Sequence, residues 1–323
     1  MSDAPVATRE LIDWLLDSDP AIRWQVMYDL TDTDANQVAA ERARVATEGW
    51  GARLLDLQAE DGQWGGGVYS PKWVSTTYTL LLLRRFRVDS DDPRVRAAID
   101  LVRERVTFGG RNRPFFDYAT ETCVTGMVLA LGSYFLEDAA RMPQPESLLG
   151  RQRDDGGWNC QVSSDRSSFH TTISVLEGLL EYEWATSGDT TLAAARERAH
   201  EYLLERRLMY RLSTGELVNP RWRLMSFPPR WHYDLLRALD YLRDAEVAPD
   251  ERWEDALEVI RSKQHNDGRW PLQNRHAGKV HFEMEGGSGK SSRWNTLRCL
   301  RVLQWHERSS GGEHHRIFPG VDL

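Results

Sequence analysis

A seven-residue pattern that occurs three times constrains the fold of this 323-residue chain more than any other feature. The copies run from Gln58 to Trp64, from Gln152 to Trp158 and from Gln264 to Trp270, each with Asp-Gly in the middle. Glycine accepts a positive φ, so Asp-Gly predicts a turn. The Gln side chain can bond free backbone groups at a helix end, and the Trp ring can cover the junction between repeats. The pattern therefore predicts a repeat architecture.

Apolar helical stretches follow the repeats and alternate with more polar ones. Six apolar stretches predict inner helices, at 22–30, 74–86, 121–135, 169–182, 231–242 and 293–305. Amphipathic helices are predicted between them, for example at 93–105, 192–206 and 251–263. This alternation predicts an all-α fold in which an inner ring of helices lies inside an outer ring.

The Gln-x-x-Asp-Gly-x-Trp pattern resembles the repeat of the α/α-toroid superfamily, which includes squalene and terpenoid cyclases and the β subunits of protein prenyltransferases. The resemblance extends over nearly the whole chain from about residue 20. It implies one α/α-toroid, an α6/α6 barrel of about six helix pairs, over residues 1–323. Residues 1–50 are expected to form less regular helices, and 309–323 a polar tail.

Composition favours a protein with neither a nucleic-acid partner nor an integral membrane segment. The chain has 41 Lys and Arg against 49 Asp and Glu, a net charge of −8, which disfavours attraction to nucleic acid or anionic membrane. No apolar run approaches the roughly 18 residues of a membrane-spanning helix, and no charged-then-apolar leader is seen. Three cysteines do not make a disulfide framework. We therefore expect a cytoplasmic protein.

Two short segments at the starts of neighbouring inner helices resemble the zinc site of protein prenyltransferase β subunits. Those proteins hold a catalytic zinc with an Asp-x-Cys pair and with a His that opens the next inner helix. Glu121 and Cys123 match the pair with Glu in place of Asp, and His170, within Phe-His-Thr, matches the second part. Cys160, in the loop before His170, is a further candidate ligand. The resemblance implies Zn²⁺ on Cys123, His170 and Glu121. The family pattern has no obligatory Cys at the position of Cys160; if Cys160 reaches the metal, the set becomes Cys123, Cys160 and His170 with Glu121 or water.

The chemistry of this set is coherent. A thiolate, an imidazole and a carboxylate make a three-ligand zinc site with an exchangeable fourth position. A helix N-terminus favours the thiolate of Cys123. Zinc would keep an incoming thiolate nucleophilic near neutral pH. His232 is expected to open the fifth inner helix and face the same cavity, which makes it a candidate catalytic residue.

A basic and aromatic set precedes several inner helices. Parallel inner helices would gather their positive N-terminal ends at one rim, where Arg or Lys would hold a phosphate or diphosphate. Tryptophans near the helix starts would offer apolar walls. The candidate substrate-binding residues are Arg111, Arg113, Arg230, Arg293, Trp24, Trp73, Trp231 and Trp294. The alternative is that the arginines are surface charges paired with the many acids.

Together these features predict a zinc-dependent, prenyltransferase-like enzyme acting on an isoprenoid or related allylic diphosphate in a central funnel. Two alternatives remain: a terpenoid-cyclase-like enzyme without zinc, and a non-catalytic toroid that binds a ligand or partner. Residues 89–92 have the letters of the cyclase Asp-x-Asp-Asp motif. Their place directly before Pro93 instead predicts the cap of an outer helix.

Overall fold

The computed structural model describes residues 7–109, 113–186 and 188–310. These residues are mostly helical, which confirms the all-α class. A small antiparallel pair joins β1 (Thr107–Phe108) to β2 (Arg113–Pro114). The α-helices are α1 (Arg9–Leu16), α2 (Pro20–Leu30), α3 (Ala35–Ala43), α4 (Gly49–Asp56), α5 (Thr76–Arg85), α6 (Pro93–Arg105), α7 (Thr122–Phe135), α8 (Gln144–Leu149), α9 (Phe169–Thr186), α10 (Thr190–Glu205), α11 (Leu235–Asp244), α12 (Glu254–Arg261) and α13 (Arg293–Ser310).

Within the described ranges, no helix is long and apolar enough to span a bilayer. The predicted polar tail lies outside the described residues from position 311 onward.

A helix is present at each of the six stretches predicted as inner helices; these are α2, α5, α7, α9, α11 and α13, called the inner helices below. Three boundaries differ by four residues or more. Helices α9 and α13 extend past the predicted ends to Thr186 and Ser310, and α11 begins at Leu235 and not at Trp231. Asp234 caps this helix, and its Oδ1 accepts the Arg237 N–H at 2.8 Å. Trp231 and His232 therefore lie in the loop before α11, not in its first turn.

The inner helices contact one another in a closed order. Consecutive pairs from α5 to α13 pack together, and α13 packs against α2. The indole of Trp24 in α2 donates to the Phe86 carbonyl at 3.0 Å, directly after α5. The closest packing joins α7 to α9, where Gly126 and Gly178 meet. A Cβ on Gly178 would lie 2.3 Å from the Gly126 carbonyl oxygen, so only glycine allows this approach.

The three repeats tie one helix to the next. Each repeat Trp is fully buried, and its indole N–H donates to a carbonyl ten residues earlier at 2.7 or 2.8 Å. Each repeat Gly has a φ of 79 to 89°, as the turn prediction requires. The Gln152 amide donates to the Gly156 and Ala195 carbonyls, both at 2.7 Å, and so links the turn to α10.

The short acidic run 89–92 has the structural role expected from its position. The Asp92 carboxylate caps α6 by accepting the Arg94 N–H at 2.8 Å. The cap geometry confirms that this motif belongs to a helix start.

Candidate functional site

Cys123 and Cys160 lie side by side where α7 begins. The Cys123 backbone N–H donates to the Cys160 sulfur at 3.2 Å. The Thr171 hydroxyl, in the first turn of α9, donates to the same sulfur at 3.4 Å. Both cysteines are free thiols. The loop that carries Cys160 thus brings its sulfur to the starts of two inner helices, where N–H groups and helix dipoles favour negative charge.

The pKa values of the two thiols are shifted in opposite directions. Hydrogen bonds from the Cys123 thiol, and then from Thr171 and the Cys123 N–H, lower the pKa of Cys160 although burial opposes them. The pKa of Cys123 is raised, because its thiol donates to Cys160, because it is buried and because Glu121 adds negative charge. From the sequence, Cys123 was expected to be the thiolate, because it lies at a helix N-terminus. The structure favours Cys160, because its sulfur accepts both the Cys123 backbone N–H and the Thr171 hydroxyl.

A cluster of three histidines and two tryptophans lies next to the starts of α5, α9 and α11. Trp231, His232 and His276 stack in that order, with 3.9 Å between successive ring centroids. Trp73 meets His232 edge-on at 5.9 Å, and His170 meets Trp231 edge-on at 5.1 Å. These five residues are called the histidine cluster below. It includes the predicted catalytic His232 and the predicted wall residues Trp73 and Trp231.

The histidines of this cluster are neutral at pH 7. Burial lowers the pKa of His170 and His276 to about 4, and that of His232 to about 3. Nearby Arg237 contributes to each shift. The His170 Nδ1 accepts the Tyr233 backbone N–H at 2.8 Å, so its proton is on Nε2.

Among the described residues, no three His, Cys, Asp or Glu side chains are arranged to hold a metal ion. His170 has its Nδ1 occupied as an acceptor, whereas a metal-bound histidine donates from its second nitrogen. Glu121 is exposed at the start of α7. In this arrangement the predicted set of Glu121, Cys123, Cys160 and His170 does not fit one Zn²⁺. We derive no chemical step from a bound metal.

A cavity of about 200 Å³ lies beside the histidine cluster and is called the rim cavity. Its polar lining includes Arg230, Arg275, His276 and Glu285, and its apolar wall consists of Phe227, Pro228, Leu272, Val280, Phe282 and Met284. Arg275 pairs with Glu283. Arg230 is different: it is 7% exposed, and its Nη1 has no hydrogen-bond partner.

Arg230 is a buried cation without a matching acid. Within the described ranges, no carboxylate forms an ion pair with it. Burial lowers its pKa to about 10, so the guanidinium stays charged at neutral pH. A buried charge is costly unless it is paired, so an anion bound in the rim cavity would remove this cost.

The segment 272–292 covers the rim cavity and is called the rim segment. The Trp73 backbone N–H donates to the Lys279 carbonyl at 2.7 Å, and the Lys279 N–H donates to the Lys72 carbonyl at 3.1 Å. His281 Nε2 lies 2.9 Å from Thr79 Oγ1. These contacts hold the rim segment against the start of α5. His276 and most of the apolar wall of the rim cavity therefore come from a loop and not from a helix.

The two remaining predicted wall tryptophans lie elsewhere. Trp24 is fully buried and bonds to the Phe86 carbonyl. Trp294 is 1% exposed and stacks on Phe227 with 4.5 Å between centroids. Both rings pack within the core, outside the histidine cluster.

The other predicted arginines also lie apart from Arg230. Arg293 donates to the Trp14 carbonyl at 3.1 Å, next to α1. Arg113 is exposed in β2. Arg111 lies outside the described residues. Arg230 is therefore the predicted anion-binding residue that the structure places on the rim cavity.

Two site residues were not predicted from the sequence. His276 comes from a loop rich in Gly, His and Lys, without a periodic signal. Tyr78 lies in an apolar helix and so resembles a core residue. Burial raises its pKa well above the usual value, and Cys123 and Arg230 act on it in opposite directions. Tyr78 thus lies near both the thiol pair and the rim cavity.

No protein-family model matches this chain, and no curated protein matches it. A crystal structure of a protein from Actinoplanes is 17% identical, covers 90% of each chain and has a TM-score of 0.41. A similarity at that level carries no argument about fold or function. The proposals below therefore depend on the geometry of this chain.

Proposed function

We propose that this chain is an α/α-toroid that binds an anionic ligand with an apolar part, of the allylic diphosphate type, in the rim cavity. The three repeats and the closed order of contacts among the inner helices support the toroid. Arg230 carries the ligand proposal, since it is a buried cation without an acid partner beside an apolar wall. Such a cavity matches a charged head with a hydrocarbon chain.

The reaction that we propose is prenyltransferase-like. An incoming thiol or other nucleophile would lose its proton to the Cys160 thiolate and attack the allylic carbon. The carbon–oxygen bond would break, and the diphosphate would leave with its electron pair, stabilised by Arg230. The products are the prenylated acceptor, free diphosphate and a protonated Cys160. The hydrogen bonds that the Cys160 sulfur accepts from the Cys123 N–H and the Thr171 hydroxyl support this role, because they favour its thiolate.

Zinc remains a prediction of the sequence resemblance, and metal analysis tests it directly. About one zinc per chain that disappears in Cys123→Ala would support it, and His170 would then have to release Tyr233. If the purified protein contains no zinc and still binds the ligand, the zinc prediction fails and the Cys160 thiolate remains as the proposed base.

A terpenoid-cyclase-like reaction is the second candidate, and Glu285 favours it. This carboxyl lines the rim cavity, and burial raises its pKa. It accepts hydrogen bonds from the Trp294 backbone N–H at 2.9 Å and from the Ser292 hydroxyl at 3.0 Å. A carboxylic acid beside an apolar wall can protonate an alkene. Glu285→Gln would abolish cyclisation but leave ligand binding intact.

Calorimetry tests the binding proposal with three probes: farnesyl diphosphate, farnesol and inorganic diphosphate. We expect farnesyl diphosphate to bind more tightly than either fragment, because it uses both the cation and the apolar wall. Arg230→Gln should weaken that binding at least about 10-fold. Arg9→Gln is the matched control, since its side chain is 95% exposed. Equal effects of both changes, or no binding of farnesyl diphosphate, would contradict the proposal.

A further inference from the structure

A second cavity, of about 60 Å³, lies between α2, α5, α9, α11 and α13 and is called the arginine cavity. Its charged lining consists of seven arginines and three carboxylates. They are Arg84, Arg85, Arg87, Arg237, Arg243, Arg298 and Arg301, with Glu177, Asp240 and Asp244. Of the predicted site residues, Trp294 lines this space, whose charged groups were not predicted as a site.

Ion pairs use all three carboxylates of the arginine cavity. Glu177 accepts two bonds from Arg237, at 2.9 and 2.8 Å, and lies 3.2 Å from Arg85. Asp240 accepts bonds from Arg298 and Arg301, each at 3.0 Å. Asp244 lies 2.5 Å from Arg243.

Two further acids reach the same arginines from outside the lining. Glu181 accepts a bond from Arg84 at 2.8 Å and lies 3.1 Å from Arg87. Asp29 lies 3.6 Å from Arg301 and 3.8 Å from Arg243. In the part of the chain that the structure describes, these seven arginines form ion pairs with five carboxylates in all. The cluster therefore has more positive than negative groups.

A nearby sixth carboxylate is already occupied. Asp234 is 2% exposed, caps α11 and accepts the Ser226 hydroxyl. Burial raises its pKa, which weakens its ability to neutralise Arg298.

Among the residues that the structure describes, two donors of the cavity arginines find no acceptor. Arg298 is 1% exposed, and its Nη2 has no hydrogen-bond partner. Arg243 is 3% exposed, and its Nε has none. A buried charged group that lacks an acceptor is destabilising, so these donors indicate a missing negative partner.

We infer that the arginine cavity binds a compact oxyanion of the size and charge of inorganic phosphate. Its volume equals roughly four or five water-sized positions, which suits a tetrahedral oxyanion. Guanidinium groups match the oxygens of such anions with paired hydrogen bonds. Water could also accept these bonds, but it would not balance the excess of positive charge.

A small space lies between this cavity and the rim cavity. A narrow space of about 10 Å³ shares Arg85 and Glu177 with the arginine cavity, and Pro228 and Arg230 with the rim cavity. Arg230 does not line the arginine cavity itself. The two sites can therefore be separated by mutation.

The test is a titration with inorganic phosphate at constant ionic strength set by chloride, followed by calorimetry and by ³¹P line broadening. We expect saturable binding of about one phosphate per chain and a rise in Tm on saturation. Arg85→Gln should weaken phosphate binding at least about 10-fold. This variant should fold, because Glu177 keeps its ion pair with Arg237. Arg298→Gln should have the same effect wherever circular dichroism shows a native fold.

Arg230→Gln is the matched control and should change phosphate affinity less than about twofold. The absence of saturable binding would overturn the inference, as would wild-type affinity in Arg85→Gln. Equal losses in Arg85→Gln and Arg230→Gln would place the anion in the rim cavity and also refute it. Phosphate binding that survives while farnesyl diphosphate fails to bind would refute only the proposed function.

Discussion

Glu177 of α9 and Arg237 of α11 form two parallel hydrogen bonds, from Nε to Oε1 at 2.9 Å and from Nη2 to Oε2 at 2.8 Å. Arg85 of α5 lies 3.2 Å from the same carboxylate. One acid thus joins three inner helices. Burial raises the pKa of Glu177, but Arg237 and Arg85 outweigh it and lower the pKa to about 2.

Replacing Glu177 by Gln should destabilise the fold by about 3–5 kcal/mol, because it leaves buried arginines without their carboxylate. Urea denaturation measures the free energy of unfolding. Glu48→Gln is the control, since its partner Arg44 is a surface residue, and it should leave stability nearly unchanged. The lowered pKa means that the stabilisation is complete above about pH 4.5 and is lost as the pH falls toward 2. A loss below about 1 kcal/mol in Glu177→Gln would contradict this prediction.

The histidine cluster should make stability fall in mild acid. Burial lowers the pKa of His170, His232 and His276, so the unfolded chain binds protons that the folded chain does not. The stability that the neutral histidines give the folded state is fully present above about pH 6.5 and is lost as the pH falls toward 4. The free energy of unfolding, measured by urea denaturation at several pH values in this range, should depend less steeply on pH in His276→Gln than in the wild type. The exposed His265→Gln should keep the wild-type slope, and a flat wild-type profile would refute the prediction.

Alkylation should identify Cys160 as the reactive thiol. Its rate of reaction with iodoacetamide, followed by mass spectrometry, should rise with a midpoint below the pKa of an ordinary cysteine thiol, because the hydrogen bonds to its sulfur lower that pKa. Cys123→Ala removes the donated thiol hydrogen bond and should move the midpoint upward. Cys299 is fully buried and serves as the internal control that stays unmodified in the native state. Labelling of Cys123 before Cys160 would show that the thiolate is on the helix residue instead.

Gly156 should not tolerate a methyl group. It has a φ of 89°, and a Cβ would lie 2.4 Å from the Arg198 carbonyl oxygen. Gly215 is the matched control, since its φ is 69° and no atom lies within 4 Å of a Cβ built there. Gly215→Ala should cost about 1–2 kcal/mol from backbone strain alone, and Gly156→Ala clearly more, as measured by thermal unfolding. Equal costs would show that the repeat turn has room that the structure does not show.

Local patterns in the sequence were enough to predict the six apolar helices and three of the amphipathic helices between them. The repeat turns, the apolar stretches and the Asp92 cap depend on interactions within a few residues, so they can be read without the tertiary structure. The start of α11 was wrong by four residues, because the apolar pattern continues through Trp231 while the Asp234 cap decides the boundary. The pairing of Cys160 with Cys123 could not be predicted, since no local rule says where a loop sulfur will lie.

The sequence by itself determined the all-α class and the repeats that connect the helices, because periodicity and turn chemistry are local. Only the tertiary structure decided where the charges of the inner helices lie. Arg237 and Asp240 in α11 would suit a solvent-facing surface equally well, since spacing shows which residues share a face but not what that face meets. Packing of the helices against one another placed that face on the arginine cavity, where a polar surface becomes a buried network of charges.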